Sequence, residues 1–160
     1  MAEVSDLKKF DVFKGLAEKQ LAQLAKITDK KAYKKSTFVY ERGKKAKHLF
    51  VVNKGTVSLR RLEPGEKVGI AFESRESGEL FGAASFMVPQ QYTLTAVCMA
   101  DSEVFAIDAD RLFKLAEQDA AVGYRLMLAV AQIYFERYKS AKRQIHQMVS
   151  TPAIITALPG

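Results

Sequence analysis

Side chains that could perform covalent, redox or metal chemistry are scarce in this sequence. It has one cysteine, Cys98, and two histidines, His48 and His146. A lone cysteine excludes an intrachain disulfide and any four-cysteine zinc or iron–sulfur site. No cluster of histidines and carboxylates suits a metal, and no nucleophile, base and orienting group stand together. We therefore expect neither an enzyme nor a resident metal. We expect Cys98 to be an inert buried thiol and His48, at the start of a strand, to be a turn or surface residue.

The positive charge of the chain is unevenly distributed. The net charge is +7, from 25 Lys and Arg against 18 Asp and Glu. Residues 1–61 hold 16 basic and 6 acidic side chains, residues 62–120 hold 4 and 11, and residues 121–160 hold 5 and 1. The basic excess is mostly lysine, whereas phosphate and base recognition favours arginine forks. We interpret it as a solvated face, or as one that docks an acidic partner, and expect no direct DNA binding.

The spacing of apolar residues predicts helices first and strands after them. Residues 5–27 have helical spacing that is interrupted at Gly15, which indicates two short helices. From Thr28 to Asp108 the pattern changes to short runs rich in β-branched and aromatic residues, TDKKAY, TFVYE, HLFVV, TVSLRRL, KVGIAFES, TLTAVCM and SEVFAID. Seven or eight such strands predict a sandwich or barrel. Turns are predicted at Gly43, Gly55 and Pro64-Gly65.

The C-terminal part predicts a short helix near 109–118 and then a long one. Residues 120–150 contain no proline and one glycine, and a helix of that length spans about 45 Å. Its apolar residues alternate spacings of four and three, as in a coiled-coil seam; they are Met127, Ala131, Tyr134, Tyr138, Ala141, Ile145 and Met148. One helix cannot bury this stripe against itself, so we expect a homodimer through it, with packing on its own domain as the alternative.

These patterns divide the chain into a β domain with N-terminal helices (1–119), the long helix (120–150) and an irregular tail (151–160). No run approaches the roughly 18 apolar residues of a membrane span. The first ten residues, MAEVSDLKKF, lack the apolar core of a secretory signal. We therefore expect a cytoplasmic protein that has no membrane partner.

Two segments resemble the cyclic-nucleotide-binding domain family, in the manner of catabolite-activator or Crp-Fnr sensor domains. FVYERGKKAKHLFVVNKGTVSL matches the family's two structural glycines with Gly43 and Gly55, and GELFGAASF looks like its phosphate-binding cassette. The resemblance covers almost the whole chain. It implies a mainly β fold, an eight-stranded β-roll (double-stranded jelly roll) with N-terminal helices and a long C-terminal dimerisation helix.

The resemblance also implies how a cyclic nucleotide is held. Backbone N–H groups at the start of a short helix meet the phosphate, an arginine on the next strand adds a charged fork, and a glutamate after the cassette glycine accepts the ribose hydroxyl. Gly82 matches that glycine, but Ala83 stands at the glutamate position and Tyr92 at the arginine position. Losing two charged hydrogen bonds of about 1.5–3 kcal/mol each predicts binding weaker by roughly a thousandfold or more. We expect no cyclic AMP binding by the usual contacts.

The altered cassette leaves three interpretations of the pocket, whose candidate residues are Gly82, Ala83, Ala84, Ser85, Phe86, Tyr92, Thr93 and Leu94. Alternation along the strand places Tyr92, Leu94 and Ala96 on the inward face, and nearby Phe81, Phe86 and Phe72 would make the pocket aromatic. These side chains fill it as core, or they line a site for a neutral or hydrophobic effector.

The third interpretation keeps an anionic ligand. A cyclic nucleotide or another anion would then be held by a substitute cation such as Arg75 or Lys54, with the hydroxyls of Ser85 and Thr93 as further donors. No cofactor is certain under any of the three interpretations.

The sequence as a whole favours a non-enzymatic regulatory or sensor domain with an altered cassette. Family members that act as transcription factors carry a helix-turn-helix after the long helix, whereas about ten residues follow Ser150 here. We therefore expect a module without its own DNA reader, whether stand-alone or cut from a longer regulator. The alternative is a protein–protein interaction module with a vestigial pocket, which implies a regulatory protein partner.

Overall fold

The computed structural model describes residues 1–63, 65–66 and 68–150. The predicted irregular tail, 151–160, lies outside the described residues, and so does Pro64 of the predicted Pro64-Gly65 turn. The chain separates into two compact units, Met1–Leu126 and the residues from Met127 onward.

Two short helices precede the strands, as the interrupted helical spacing predicts. They are α1 (Val4–Lys8) and α2 (Glu18–Ala25), with a 3-10 turn at Asp11–Phe13 between them. The break falls at Gly15, whose φ is +88°, a conformation that residues with a Cβ rarely adopt.

Among the described residues, eight strands form two four-stranded antiparallel sheets, so the predicted mainly β roll is confirmed. The first sheet has the order β1-β8-β3-β6 and the second has the order β2-β7-β4-β5. The strands are β1 (Thr28–Tyr33), β2 (Phe38–Tyr40), β3 (His48–Lys54), β4 (Val57–Arg61), β5 (Ile70–Arg75), β6 (Leu80–Phe81), β7 (Thr95–Cys98) and β8 (Ser102–Asp108).

The central strands β3 and β8 are buried on both faces, which explains their unbroken apolar sequences. Phe50 and Val52 of β3 point into the roll with the other interior side chains. Leu49 and Val51 alternate with them and point to the opposite face. On that face of β8, the ring of Phe105 packs edge-on against Phe10 from the N-terminal helices, at 5.8 Å between ring centroids. The N-terminal segment around Phe10 therefore covers part of the outer side of this sheet.

The edge strand β5 carries a charged pair toward the interior of the roll. Glu73 is paired with Leu59 and Arg75 with Val57 in the ladder with β4, and directly paired residues share one face of a sheet. Leu59 and Val57 belong to the interior core. The guanidinium of Arg75 forms an ion pair with the carboxylate of Glu73.

Two capped helices follow the strands. The Asp108 carboxylate accepts a hydrogen bond from the Arg111 N–H at 2.8 Å at the start of α3 (Ala109–Gln118). Asp119 accepts from the N–H groups of Ala121 and Val122 at the start of α4 (Ala120–Val149). The two predicted C-terminal helices are therefore confirmed. None of the helices in the described ranges combines the length and the apolar character that crossing a bilayer requires.

Candidate ligand site

The cassette segment lies against the start of β3. Strand β6 pairs with Phe50 and Val51, and Gly82 then turns the chain into a 3-10 helix, Ala83–Phe86. The φ of Gly82 is +78°, and a Cβ there would stand 3.0 Å from the His48 carbonyl oxygen. Glycine suits both the positive φ and the close approach to this oxygen, which explains why a glycine stands at this position of the cassette.

The four residues after Gly82 face different surroundings. Ala83, at the position where the resemblance implies a glutamate, is 4% exposed. Ala84 packs against the interior core. Ser85 is fully buried, and its hydroxyl has no hydrogen-bond partner among the described residues. Phe86 packs against Phe113 of α3, with 4.9 Å between ring centroids.

Tyr92, at the position where the resemblance implies an arginine, is part of the core. It is 5% exposed, and its ring stacks on Tyr40 with 3.7 Å between centroids and 11° between planes. Its hydroxyl donates to the His48 carbonyl at 3.0 Å and accepts from the His48 N–H at 3.2 Å. The ring and the hydroxyl of Tyr92 therefore both have partners within the chain.

The stack extends through the interior of the roll. The Tyr40 ring lies 6.0 Å from Phe81 and 5.5 Å from Phe50, and the last two are 4.9 Å apart. We call Tyr40, Phe50, Phe81 and Tyr92 the aromatic stack. Burial raises the pKa of Tyr92 to about 12, so its hydroxyl stays protonated and able to donate.

The residues that follow Tyr92 differ in part from expectation. The strand begins at Thr95, so Thr93 and Leu94 precede it. Leu94 still packs against the interior core with Tyr92 and Ala96, as the predicted alternation requires. Thr93 is exposed.

Three predictions about individual side chains are wrong or incomplete. Phe72 is 58% exposed and does not belong to the aromatic stack. Phe86 turns away from the stack toward α3, because Phe113 offers an apolar face there. His48 begins β3, as predicted, but it is partly buried and not a turn or surface residue, and burial lowers its pKa.

The two candidate substitute cations lie away from Tyr92. Lys54 is exposed at the far end of β3, six residues or about 20 Å of strand from His48. Arg75 is level with Val57 and Cys98, at the end of β7 remote from Tyr92. Its guanidinium contacts Glu73 and donates to the Ser74 carbonyl at 3.1 Å.

Two further observations concern the thiol of Cys98 and the candidate metal ligands. Cys98 is 1% exposed, and burial raises the pKa of its thiol, so the predicted buried thiol is confirmed. The ranges that the structure covers contain no group of three or more His, Cys, Asp or Glu side chains placed to hold a metal ion.

All seven predicted seam residues of α4 are exposed in the single chain. The apolar surface of this helix is wider than the predicted seam, because four further large side chains are between 50% and 65% exposed: Tyr124, Leu128, Phe135 and Val149. All four lie three or four positions from a seam residue, a signal that a strict heptad pattern ignores.

Sequence reasoning also missed Tyr40, the residue on which Tyr92 stacks. A strand of three residues shows no periodicity, and its partner lies 52 positions later. The stacking contact therefore has no local sequence signal.

Comparisons with known proteins agree with this fold. The family model for the cyclic nucleotide-binding domain matches residues 30–119. A comparison with curated protein sequences gave no match.

Solved structures extend the likeness to most of the chain. A candidate cyclic nucleotide-binding protein from Geobacter metallireducens is 26% identical, with a TM-score of 0.76 and coverage of 86% of this chain and 99% of that one. The sensor domain of the transcriptional regulator DNR from Pseudomonas aeruginosa is 20% identical, with a TM-score of 0.69 and coverage of 84% and 90%.

The catabolite activator protein of Thermus thermophilus is 22% identical, with a TM-score of 0.67, and the match covers 86% of this chain but 62% of that protein. The family model spans more than half of the sequence, and the cassette lies within the matched residues. The chain belongs to the cyclic nucleotide-binding domain family.

Proposed function

We propose that this chain is a non-enzymatic regulatory domain whose ligand pocket is filled by its own aromatic side chains. It does not bind a cyclic nucleotide through the family's contacts. The observation that carries the proposal is the placement of Tyr92, which is stacked on Tyr40 at 3.7 Å and hydrogen-bonded twice to His48.

Electrostatics supports this proposal. A nucleotide phosphate loses its hydration in a pocket and needs a positive or hydrogen-bonding partner in exchange. At the position of the family's arginine it would meet the faces of aromatic rings, which are negative. Ala83 supplies no acceptor for a sugar hydroxyl, and Lys54 and Arg75 lie at the other end of the roll.

The regulatory role is supported by the proteins with the same fold. They include the sensor domain of a transcriptional regulator and a catabolite activator protein.

Calorimetric titration with cyclic AMP and cyclic GMP tests the proposal. We expect no saturable binding by the wild-type protein. The double variant Ala83→Glu/Tyr92→Arg should gain nucleotide affinity if the scaffold can still open. The matched control is Ala83→Glu/Thr93→Arg, which adds the same charges but places the arginine on an exposed residue.

The outcomes separate the three interpretations of the pocket. Micromolar binding of either nucleotide by the wild-type protein would contradict the proposal. A thermal shift of several degrees with an apolar metabolite would instead favour a hydrophobic effector. A folded double variant without any gain would indicate that the cavity has closed, in agreement with a filled pocket.

We further propose that the chain forms a homodimer through α4. The seam residues would otherwise leave large side chains in water; Ile145 and Met148 are each 62% exposed. Exposed apolar surface that repeats along a helix at this spacing is typical of a helix–helix interface.

Sedimentation velocity at tens of micromolar tests the dimer. Tyr138→Glu/Ile145→Glu places two charges in the seam and should give a monomer. Ser140→Glu/Gln147→Glu adds the same charge on another side of the helix and should leave the dimer intact. A monomeric wild-type protein would refute this part of the proposal.

A further inference from the structure

Two loops beside the cassette are joined into one surface. They are residues 41–47 and 87–92, which we call the loop pair. The Tyr92 N–H donates to the Lys44 carbonyl at 3.0 Å and the Gly43 N–H to the Tyr92 carbonyl at 2.8 Å. The Ala46 N–H donates to the Gln90 carbonyl at 2.9 Å. Because the ring of Tyr92 is anchored in the core, these bonds hold the loop pair in a fixed conformation.

The loop pair carries unneutralised positive charge. Lys44, Lys45 and Lys47 are exposed, and in the part of the chain that the structure covers none has a carboxylate within ion-pair distance. Lysines elsewhere do: Lys30 contacts Glu103 at 2.9 Å. Residues 87–92, MVPQQY, contain no acidic side chain, and residues 41–47, ERGKKAK, contain a single one, Glu41.

The same surface exposes apolar side chains. Val88 is 98% exposed and Met87 is 37% exposed. Isolated exposed apolar residues are ordinary on protein surfaces. Here, however, they belong to the loop that is hydrogen-bonded through Gln90 and Tyr92 to the loop of the three lysines. This combination provides both an apolar contact and charge recognition.

We propose that the loop pair docks an acidic segment of a partner protein, with an apolar side chain of that segment on Val88 and Met87 and carboxylates on the three lysines. Lysine point charges suit flexible carboxylates, whereas nucleic-acid phosphates favour arginine forks. Anionic membranes are usually recognised by clusters of about four to eight basic residues, more than are free here. The proposal goes beyond the filled pocket and does not depend on it.

Fluorescence anisotropy with labelled peptides tests this docking surface. The probe is the hexapeptide Glu-Glu-Leu-Phe-Glu-Glu, and its counterparts carry glutamine for glutamate or serine for leucine and phenylalanine. We expect saturable binding of the probe that weakens with added salt. Each counterpart should bind weaker by about fivefold or more.

Matched variants locate the binding. Lys44→Gln/Lys45→Gln/Lys47→Gln should weaken probe binding by about tenfold and flatten its salt dependence, whereas Val88→Ser should weaken it by about threefold and leave that dependence intact. The control Lys8→Gln/Lys19→Gln/Lys26→Gln removes the same charge from other exposed positions and should change affinity by less than about twofold. Thermal melting verifies that each variant is folded.

Several results would overturn the proposal. They are an absence of saturable probe binding, equal weakening by the two triple variants, and no difference between the probe and its serine counterpart. Tighter binding of duplex DNA, or of vesicles of phosphatidylserine and phosphatidylcholine, through the same three lysines would assign the surface to another class of partner and equally refute it.

Discussion

Removing only the hydroxyl of Tyr92 isolates the hydrogen bonds that hold it in the pocket. In Tyr92→Phe the ring can keep its stack on Tyr40, but the His48 carbonyl and N–H lose a partner at 3.0 and 3.2 Å. Leaving a buried polar group unpaired costs about 1–3 kcal/mol. We expect the free energy of unfolding to fall by about that amount, which lowers the melting temperature by a few degrees in a chain of this size.

Tyr92→Ala extends the same measurement to the ring. Truncating a buried aromatic side chain costs about 3–5 kcal/mol, so this variant should be clearly less stable than Tyr92→Phe. The matched control is Tyr124→Phe, in which the same hydroxyl is removed from a side chain that lies outside the seam and is 65% exposed. Its effect should stay within about 0.5 kcal/mol. Urea unfolding followed by circular dichroism measures all three.

The pH dependence gives an independent test of the Tyr92 hydroxyl. Its folded pKa is raised from 10.0 to about 12 by burial, so the unfolded chain ionises first. The stability that this group contributes is therefore complete below pH 10.0 and is lost as the pH rises toward about 12. The difference between the wild type and Tyr92→Phe should shrink over that range. Equal stability of the two proteins at every pH would refute the assigned hydrogen bonds.

Three further predictions concern the scaffold. Gly55→Ala should lower the free energy of unfolding in urea more than Gly43→Ala does. Both glycines have a positive φ, which costs an alanine about 1–2 kcal/mol of strain. At Gly55 a Cβ would in addition collide with Ser102, whereas at Gly43 it would meet no atom within 4 Å. Asp108→Ala should cost about 1 kcal/mol by removing the cap of α3, whereas Asp108→Asn should retain most of that stability in the same assay. Cys98 should react slowly with a thiol reagent in the folded protein and rapidly in urea, since it is 1% exposed; equal rates would contradict its burial.

Most of the fold could be predicted from the sequence because its strongest sequence patterns are local. The runs TDKKAY and SEVFAID coincide with β1 and β8, since alternation and β-branched content act within a few residues. Strand β6 was missed because two residues carry no period. The long helix was predicted because a run of thirty residues without proline and with helical spacing of its apolar side chains favours a helix.

The cassette could be predicted from the sequence only in part. The resemblance to the family implies which positions are substituted, Ala83 and Tyr92. The direction of each ring cannot be predicted in this way, because it depends on contacts between distant segments. Phe86 meets Phe113, which lies 27 positions later, and Tyr92 meets Tyr40 from another strand. Such pairings are decided by packing in three dimensions, not by periodicity.

The inward-facing Glu73–Arg75 pair has a consequence for how this protein behaves at high concentration. Strand β5 lies at the end of its sheet and exposes Ile70 and Phe72, so it is a template on which strands of other molecules could add and begin aggregation. A strand added there would enclose two charges that now reach water at the rim. Replacing both residues by valine would stabilise the isolated folded molecule and at the same time make the protein more prone to aggregate in solution.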